Sequence, residues 1–167
     1  MKNLKNIVTL FVSITMFTTT IYAAEFVLKL AHNGPEIHPF QNGAERFKQV
    51  MEEETNGAVT VQIFPSEQLG SEEETSQMIK QGTIACAVES AGGGLAPFVS
   101  SADLFNLPFL FRDIPHFYRV LDGPVGSLIA RDVEDSLDSV FLGWWSSGVR
   151  NAWNAKRPVM KPDDLKG

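Results

Sequence analysis

The stretch Ser71-Glu72-Glu73-Glu74-Thr75-Ser76-Gln77-Met78-Ile79-Lys80-Gln81-Gly82-Thr83-Ile84-Ala85-Cys86-Ala87-Val88 decides the fold class. Ser71 stands three residues before Glu74, the spacing of a capping box. In that arrangement a hydroxyl and a carboxylate satisfy amides that the first helical turn leaves free. This predicts a helix running to Gln81, with Gly82 ending it. The run Thr83 to Val88 is apolar almost throughout. A short run without polar alternation suits a strand covered on both faces, as in a parallel sheet.

The same grammar repeats upstream. Val59, Val61 and Ile63 alternate with Thr60, Gln62 and Phe64 before Pro65, which predicts a strand. Between His38 and Thr55 the residues Phe40, Ala44, Phe47 and Met51 recur at steps of four, three and four. That spacing makes one apolar helix face, ended by Asn56-Gly57. Phe26 to Ala31 alternates again and predicts the first strand, followed by the loop His32-Asn33-Gly34-Pro35. Strand, helix, strand, helix, strand is the order of an α/β domain with a mostly parallel sheet flanked by helices.

Downstream, Leu104-Phe105-Asn106-Leu107-Pro108-Phe109-Leu110-Phe111-Arg112 is contiguous and apolar. Such runs are seldom left exposed, so core packing is expected. Helices are predicted over Pro115 to Leu121 and Pro124 to Leu137, the second with proline in its first turn. Val140 to Trp145 is expected to be a fourth strand.

The N-terminus has another character. Lys2 and Lys5 precede the apolar run Ile7 to Phe17, and small residues close it through Ala24. Basic, apolar and small in that order is the anatomy of a secretory signal, and the run is shorter than the roughly 20 residues of a membrane span. Residues 1-24 are therefore expected to be cleaved. The whole chain of 167 residues has 14 basic and 20 acidic side chains, a net charge of -6. Removing Lys2 and Lys5 leaves 12 basic against 20 acidic residues, a charge of -8. Such a chain does not bind nucleic acid by charge, and an anionic ligand needs a local cation. The lone Cys86 has no disulfide partner and reads as a small apolar side chain.

Ligands in open α/β sheets bind where strands end at their carboxyl side. Three loops qualify: His32-Asn33, Glu89-Ser90-Ala91-Gly92-Gly93-Gly94, and Ser146-Ser147-Gly148-Val149-Arg150. They are expected to converge on one cleft. Arg150 offers a planar fork of donors matched to a carboxylate, or else is a surface Arg or the partner of Asp103. Glu89 ends an apolar strand, where it bonds a ligand hydroxyl or amine or faces solvent. Asn33 donates to a ligand oxygen or shapes the turn before Gly34-Pro35. Of the adjacent Trp144 and Trp145, one can wall a pocket while the other is core. No HExxH, CxxC, GxSxG or phosphate-loop pattern occurs, and His32, His38 and His116 make no helical metal pair. Neither a cofactor nor a catalytic residue is expected. Gly92-Gly93-Gly94 reads as a close backbone approach or a flexible crossing.

Phe64-Pro65-Ser66-Glu67-Gln68-Leu69-Gly70-Ser71-Glu72, Gln81-Gly82-Thr83-Ile84, Leu107 to Arg112, Leu121-Asp122-Gly123-Pro124-Val125-Gly126, and Arg150 through Arg157-Pro158 to Asp164-Leu165-Lys166-Gly167 carry a family likeness. In this order they resemble the substrate-binding proteins of TRAP (tripartite ATP-independent periplasmic) transporters. The resemblance implies a periplasmic-binding-protein-like α/β fold that captures an organic acid between two domains and hands it to membrane permease subunits. Arg150 matches a basic position near the ligand, and Glu89 falls close to a pocket position. Asn33 and Trp145 are carried over beside them. Sugar acids and other hydroxylated acids are favoured over plain dicarboxylates. In the family, the segment after Asp-Leu-Lys-Gly carries the Arg that pairs with the ligand carboxylate. The resemblance therefore implies that 25-167 is the N-terminal part of a two-domain protein, truncated after Gly167, with hinge and second domain largely missing. Two other classes remain as alternatives: a ligand-sensing module, and a secreted enzyme whose catalytic half lies elsewhere.

Overall fold

The computed structural model describes residues 26-149 and 154-166. The proposed signal segment and Arg150 lie outside the described residues. Strand β1 (Phe26–His32) leads into helix α1 (Pro39–Glu54), strand β2 (Val59–Phe64), helix α2 (Glu72–Lys80) and strand β3 (Cys86–Val88). The sheet has the order β2-β1-β3, with β1 parallel to both neighbours. Parallel strands need crossovers, and the two capped helices supply them.

Register sorts the side chains. Leu28 pairs with Val61, and Leu30 with both Ile63 and Cys86, so all of these share one face. Helix α1 lies on that face, and Leu30, Ala44 and Val61 form a buried cluster walled by Phe47, Met51 and Val88. The apolar steps of α1 are therefore its sheet contact. On the other face Val27 and Lys29 are exposed, while Ala31 is buried.

Helix α2 begins on the expected capping box. Glu74 N donates to Ser71 Oγ at 3.3 Å, and Ser71 N donates to Glu74 Oε2 at 2.8 Å. Its end consumes residues that the sequence assigned to the next strand. Gly82 (φ 68°) adopts the left-handed conformation, Gly82 N donates to Ile79 O, and Thr83 N donates to Met78 O. This is a Schellman closure. Only Cys86–Val88 remains for β3, and these three residues are half-buried rather than covered on both faces.

A π-helical turn (Ala91–Leu95) and a 3₁₀ helix (Ser100–Asn106) follow, then helices α3 (Ile114–Leu121) and α4 (Pro124–Leu137). Leu95, Val99, Ala102, Val133 and Leu137 form a second buried cluster, with Phe98 and Phe141 against it. Asp113 caps α3 by accepting from His116 N at 2.6 Å. At the α3-α4 corner a Cβ on Gly126 would lie 1.7 Å from Leu121 O, so only glycine permits the approach.

Two expectations fail here. Val140 to Trp145 pairs with no strand among the described residues. Phe141 N instead donates to Glu134 Oε1 at 3.0 Å, so an α4 side chain takes the place of a ladder bond, and Val140 and Leu142 stay exposed. The run Leu104 to Arg112 is not core either. Leu104, Leu107 and Leu110 are exposed, and Phe109 is 99% exposed with φ 61°. Phe105 and Phe111 are the half-buried members, in ring contact with each other, with Phe105 also against Trp144 and Phe111 against Phe117. The left-handed Phe109 breaks the extended path there, and every residue from Asn106 to Leu110 is exposed.

Candidate functional site

Because His32 and Val88 are register partners, β1 and β3 deliver Asn33 and Glu89 from neighbouring strand ends. Two of the three loops therefore leave the sheet from adjacent strand ends. The third is not delivered by a strand. Its Ser146-Gly148 segment is closed locally, with Gly148 N donating to Ser146 Oγ at 3.1 Å.

Glu89 turns inward. Its Oε1 lies 2.6 Å from Thr75 Oγ1 of α2, and its Oε2 is sealed from solvent with no hydrogen-bond partner among the described residues. Burial pushes its carboxyl up to about 8. The Thr75 bond opposes that rise, and the neighbouring Glu72 charge adds to it. Glu72, at the first position of α2, has a richer donor set. Ser90 N donates to its Oε1 at 2.8 Å and Ser90 Oγ to its Oε2 at 2.6 Å. Glu72 thereby anchors the start of the π-helical turn.

The three glycines are a close backbone approach, as expected. A Cβ at Gly92 would meet Asn106 Oδ1 at 2.1 Å, one at Gly93 the Ser90 hydroxyl at 2.6 Å, and one at Gly94 Glu89 Oε2 at 2.6 Å. Asn106 Nδ2 also donates to Gly92 O at 3.0 Å, and Ser76 Oγ to Gly94 O at 3.1 Å. Side chains from α2 and the 3₁₀ helix thus fill the space that larger residues would take.

Asn33 is half-buried in the β1-α1 loop. That loop is tied to the β2 exit, since Ser66 N donates to Gly34 O and Glu67 N to His32 O. His32 is buried, with Nε2 2.9 Å from Gln41 Oε1, while Gln41 Nε2 donates to Glu45. Trp145 lays its ring on Gly43 in the first turns of α1, where a Cβ would come within 2.5 Å of Cζ3. Trp144 belongs to the aromatic cluster with Phe105 and Phe141. One tryptophan therefore packs over α1 and the other closes the aromatic cluster. Among the described residues no hydrogen bond joins Asn33, Glu89 and Trp145.

Sequence reasoning missed Glu72, Thr75 and Asn106. Glu72 and Ser90 are eighteen residues apart, and no local spacing announces such a contact. Among the described residues no group of three or more His, Cys, Asp or Glu could hold a metal ion. No described helix is long and apolar enough to cross a membrane.

A parallel sheet with its polar groups gathered at the carboxyl ends of adjacent strands defines the ligand-binding class of α/β proteins. The model of the family described as bacterial extracellular solute-binding protein, family 7 (DctP), matches residues 30-167, and the chain belongs to that family. It is 31% identical over 153 residues to the 2,3-diketo-L-gulonate-binding periplasmic protein YiaO of Escherichia coli K12, covering 90% of this chain and 45% of that one. A TRAP periplasmic solute-binding protein from Ochrobactrum anthropi superposes with a TM-score of 0.79 at 31% identity, covering 85% of this chain and 44% of that one. One from Sulfitobacter sp. NAS-14.1 with bound β-D-galacturonate gives 0.76 at 26%, covering 84% and 46%. The chain spans about half the length of the relatives it matches.

Proposed function

We propose that this chain supplies the first domain of an extracytoplasmic solute-binding protein, which captures an organic acid for a TRAP-type membrane transporter. The observation that carries the reading is family membership over residues 30-167, joined to a sheet whose polar groups collect at neighbouring strand ends. Residues 1-24 act as a removed secretory signal, and 25-167 form the first of two domains. The chain binds and does not catalyse, and permease subunits receive its ligand.

The relatives favour a hydroxylated carboxylate, since the names above carry a diketo sugar acid and a uronate. Arg150 supplies a second basic contact beside the ligand, its planar fork matched to carboxylate geometry. Asn33 borders the ligand at the β1 end, Glu89 supports the β3 end from beneath it, and Trp145 walls the side next to α1. A small-molecule site depends on burying most of the ligand, so residues 25-167 alone bind weakly or not at all.

The test is calorimetric titration of the full-length protein carrying this sequence with galacturonate and with succinate. Saturable binding of galacturonate is expected, and Arg150→Ala should weaken it at least tenfold, since truncating one partner of a buried charge pair costs about 2 kcal/mol or more. Absence of binding by every organic acid, or an unchanged affinity in Arg150→Ala, would sink the reading.

A further inference from the structure

Two carboxyl groups meet at the β3 exit with opposite donor supplies. Glu72 receives an N–H and an O–H from Ser90, enough to satisfy an ionised carboxylate. Among the described residues Glu89 has only the Thr75 hydroxyl. That hydroxyl carries one hydrogen and lies near three acceptors: Ser71 O at 3.0 Å, Glu72 O at 3.2 Å and Glu89 Oε1 at 2.6 Å. An ionised Glu89 takes the hydrogen from the helix carbonyls and still leaves Oε2 sealed, charged and without a donor among the described residues. That is the costly arrangement. A neutral Glu89 donates its own proton to Thr75 Oγ1, and Thr75 then donates to Ser71 O, so each hydrogen has an acceptor.

Among the described residues, the charged groups around Glu89 do not rescue the ionised form. Helix α2 contributes Glu72, a like charge. The π-helical turn Ala91–Leu95 carries no titratable side chain. Strand β1 ends in His32, whose Nε2 is engaged with Gln41.

We propose that Glu89 is held as a neutral acid whose proton is donated to Thr75, so that the strand-end corner meets an anionic ligand with one negative charge fewer and loses it as Glu89 ionises. The second half of this statement rests on the organic-acid reading above. The first half does not. Burial places the transition near pH 8 rather than in the ordinary carboxylate range.

Infrared spectroscopy of the full chain labelled with carboxyl-¹³C glutamate tests the proton directly. The expected result is a carboxylic-acid band at neutral pH that disappears near pH 8 and is missing in Glu89→Gln. A spectrum with carboxylate bands alone at pH 7, or an acid band retained in Glu89→Gln, overturns the proposal. Titration of the full-length protein with galacturonate tests the coupling. If only the neutral form binds, apparent affinity tracks its population and falls about tenfold between pH 7 and pH 9. A flat affinity profile with the acid band present overturns the coupling. An acid band with no binding at any pH upholds the proton on Glu89, and the organic-acid reading is then what falls.

Discussion

Thr75 Oγ1 and Glu89 Oε1 lie 2.6 Å apart, and this contact ties the second turn of α2 to the exit of β3. It fixes where the chain leaves the sheet, because the same corner holds Glu72 on Ser90 and Gly94 against Glu89 Oε2. Thr75→Val keeps the shape and removes the only hydroxyl among the described residues that reaches Glu89, leaving the acid proton without its acceptor. We expect a loss of about 1-3 kcal/mol, the cost of a buried polar group left unpaired. Urea unfolding at neutral pH measures it, and a change below about 0.5 kcal/mol would refute the contact's importance.

The raised Glu89 carboxyl also sets a sign for pH dependence. Its pKa rises from 4.5 to about 8 on folding, so between those values the folded chain binds more protons than the unfolded one. Stability contributed by this group therefore falls as pH rises through that window. Unfolding midpoints measured from pH 5 to pH 9 should decline, and the decline should flatten in Glu89→Gln.

At the α3-α4 corner Gly126→Ala sets a methyl into the Leu121 carbonyl, and backbone cannot move aside as a flexible side chain can. The expected cost is about 3 kcal/mol or more, the upper end for overpacking. A thermal melt reads it directly. Gly57→Ala has open space but a positive φ, so it isolates backbone strain at about 1 kcal/mol as a control.

Trp145 rests on Gly43, so Gly43→Val should lift the indole from α1 without touching the sheet. Acrylamide quenching of tryptophan fluorescence, compared with Trp145→Phe in the same background, should report greater accessibility. Unchanged quenching would mean that the ring has another seat.

Phe109 holds a left-handed backbone that Asn adopts at less cost, and its side chain makes little use of the fold. Phe109→Asn should raise stability slightly, by about 0.5-1 kcal/mol, and reduce self-association. Sedimentation and a thermal melt together test both effects.

The sequence by itself determined the elements and their order. Alternation from Phe26 and from Val59 wrote two strands, the steps from Phe40 to Met51 wrote the helix that covers them, and Ser71 with Glu74 fixed where α2 begins. Those signals are local, set by side-chain period and by amides that need partners within one turn. The Gly92-Gly93-Gly94 approach was legible for the same reason, since only glycine leaves room for another group. The tertiary structure alone decided that β3 shrinks to three residues, that Val140 to Trp145 finds no ladder among the described residues, and that Leu107 and Phe109 face outward. It also decided that Glu89 meets Thr75, fourteen residues earlier, while Glu72 meets Ser90. Pairing at that range depends on where the parallel crossover returns the chain, and on which buried acceptors then find donors. No period in the sequence carries that information.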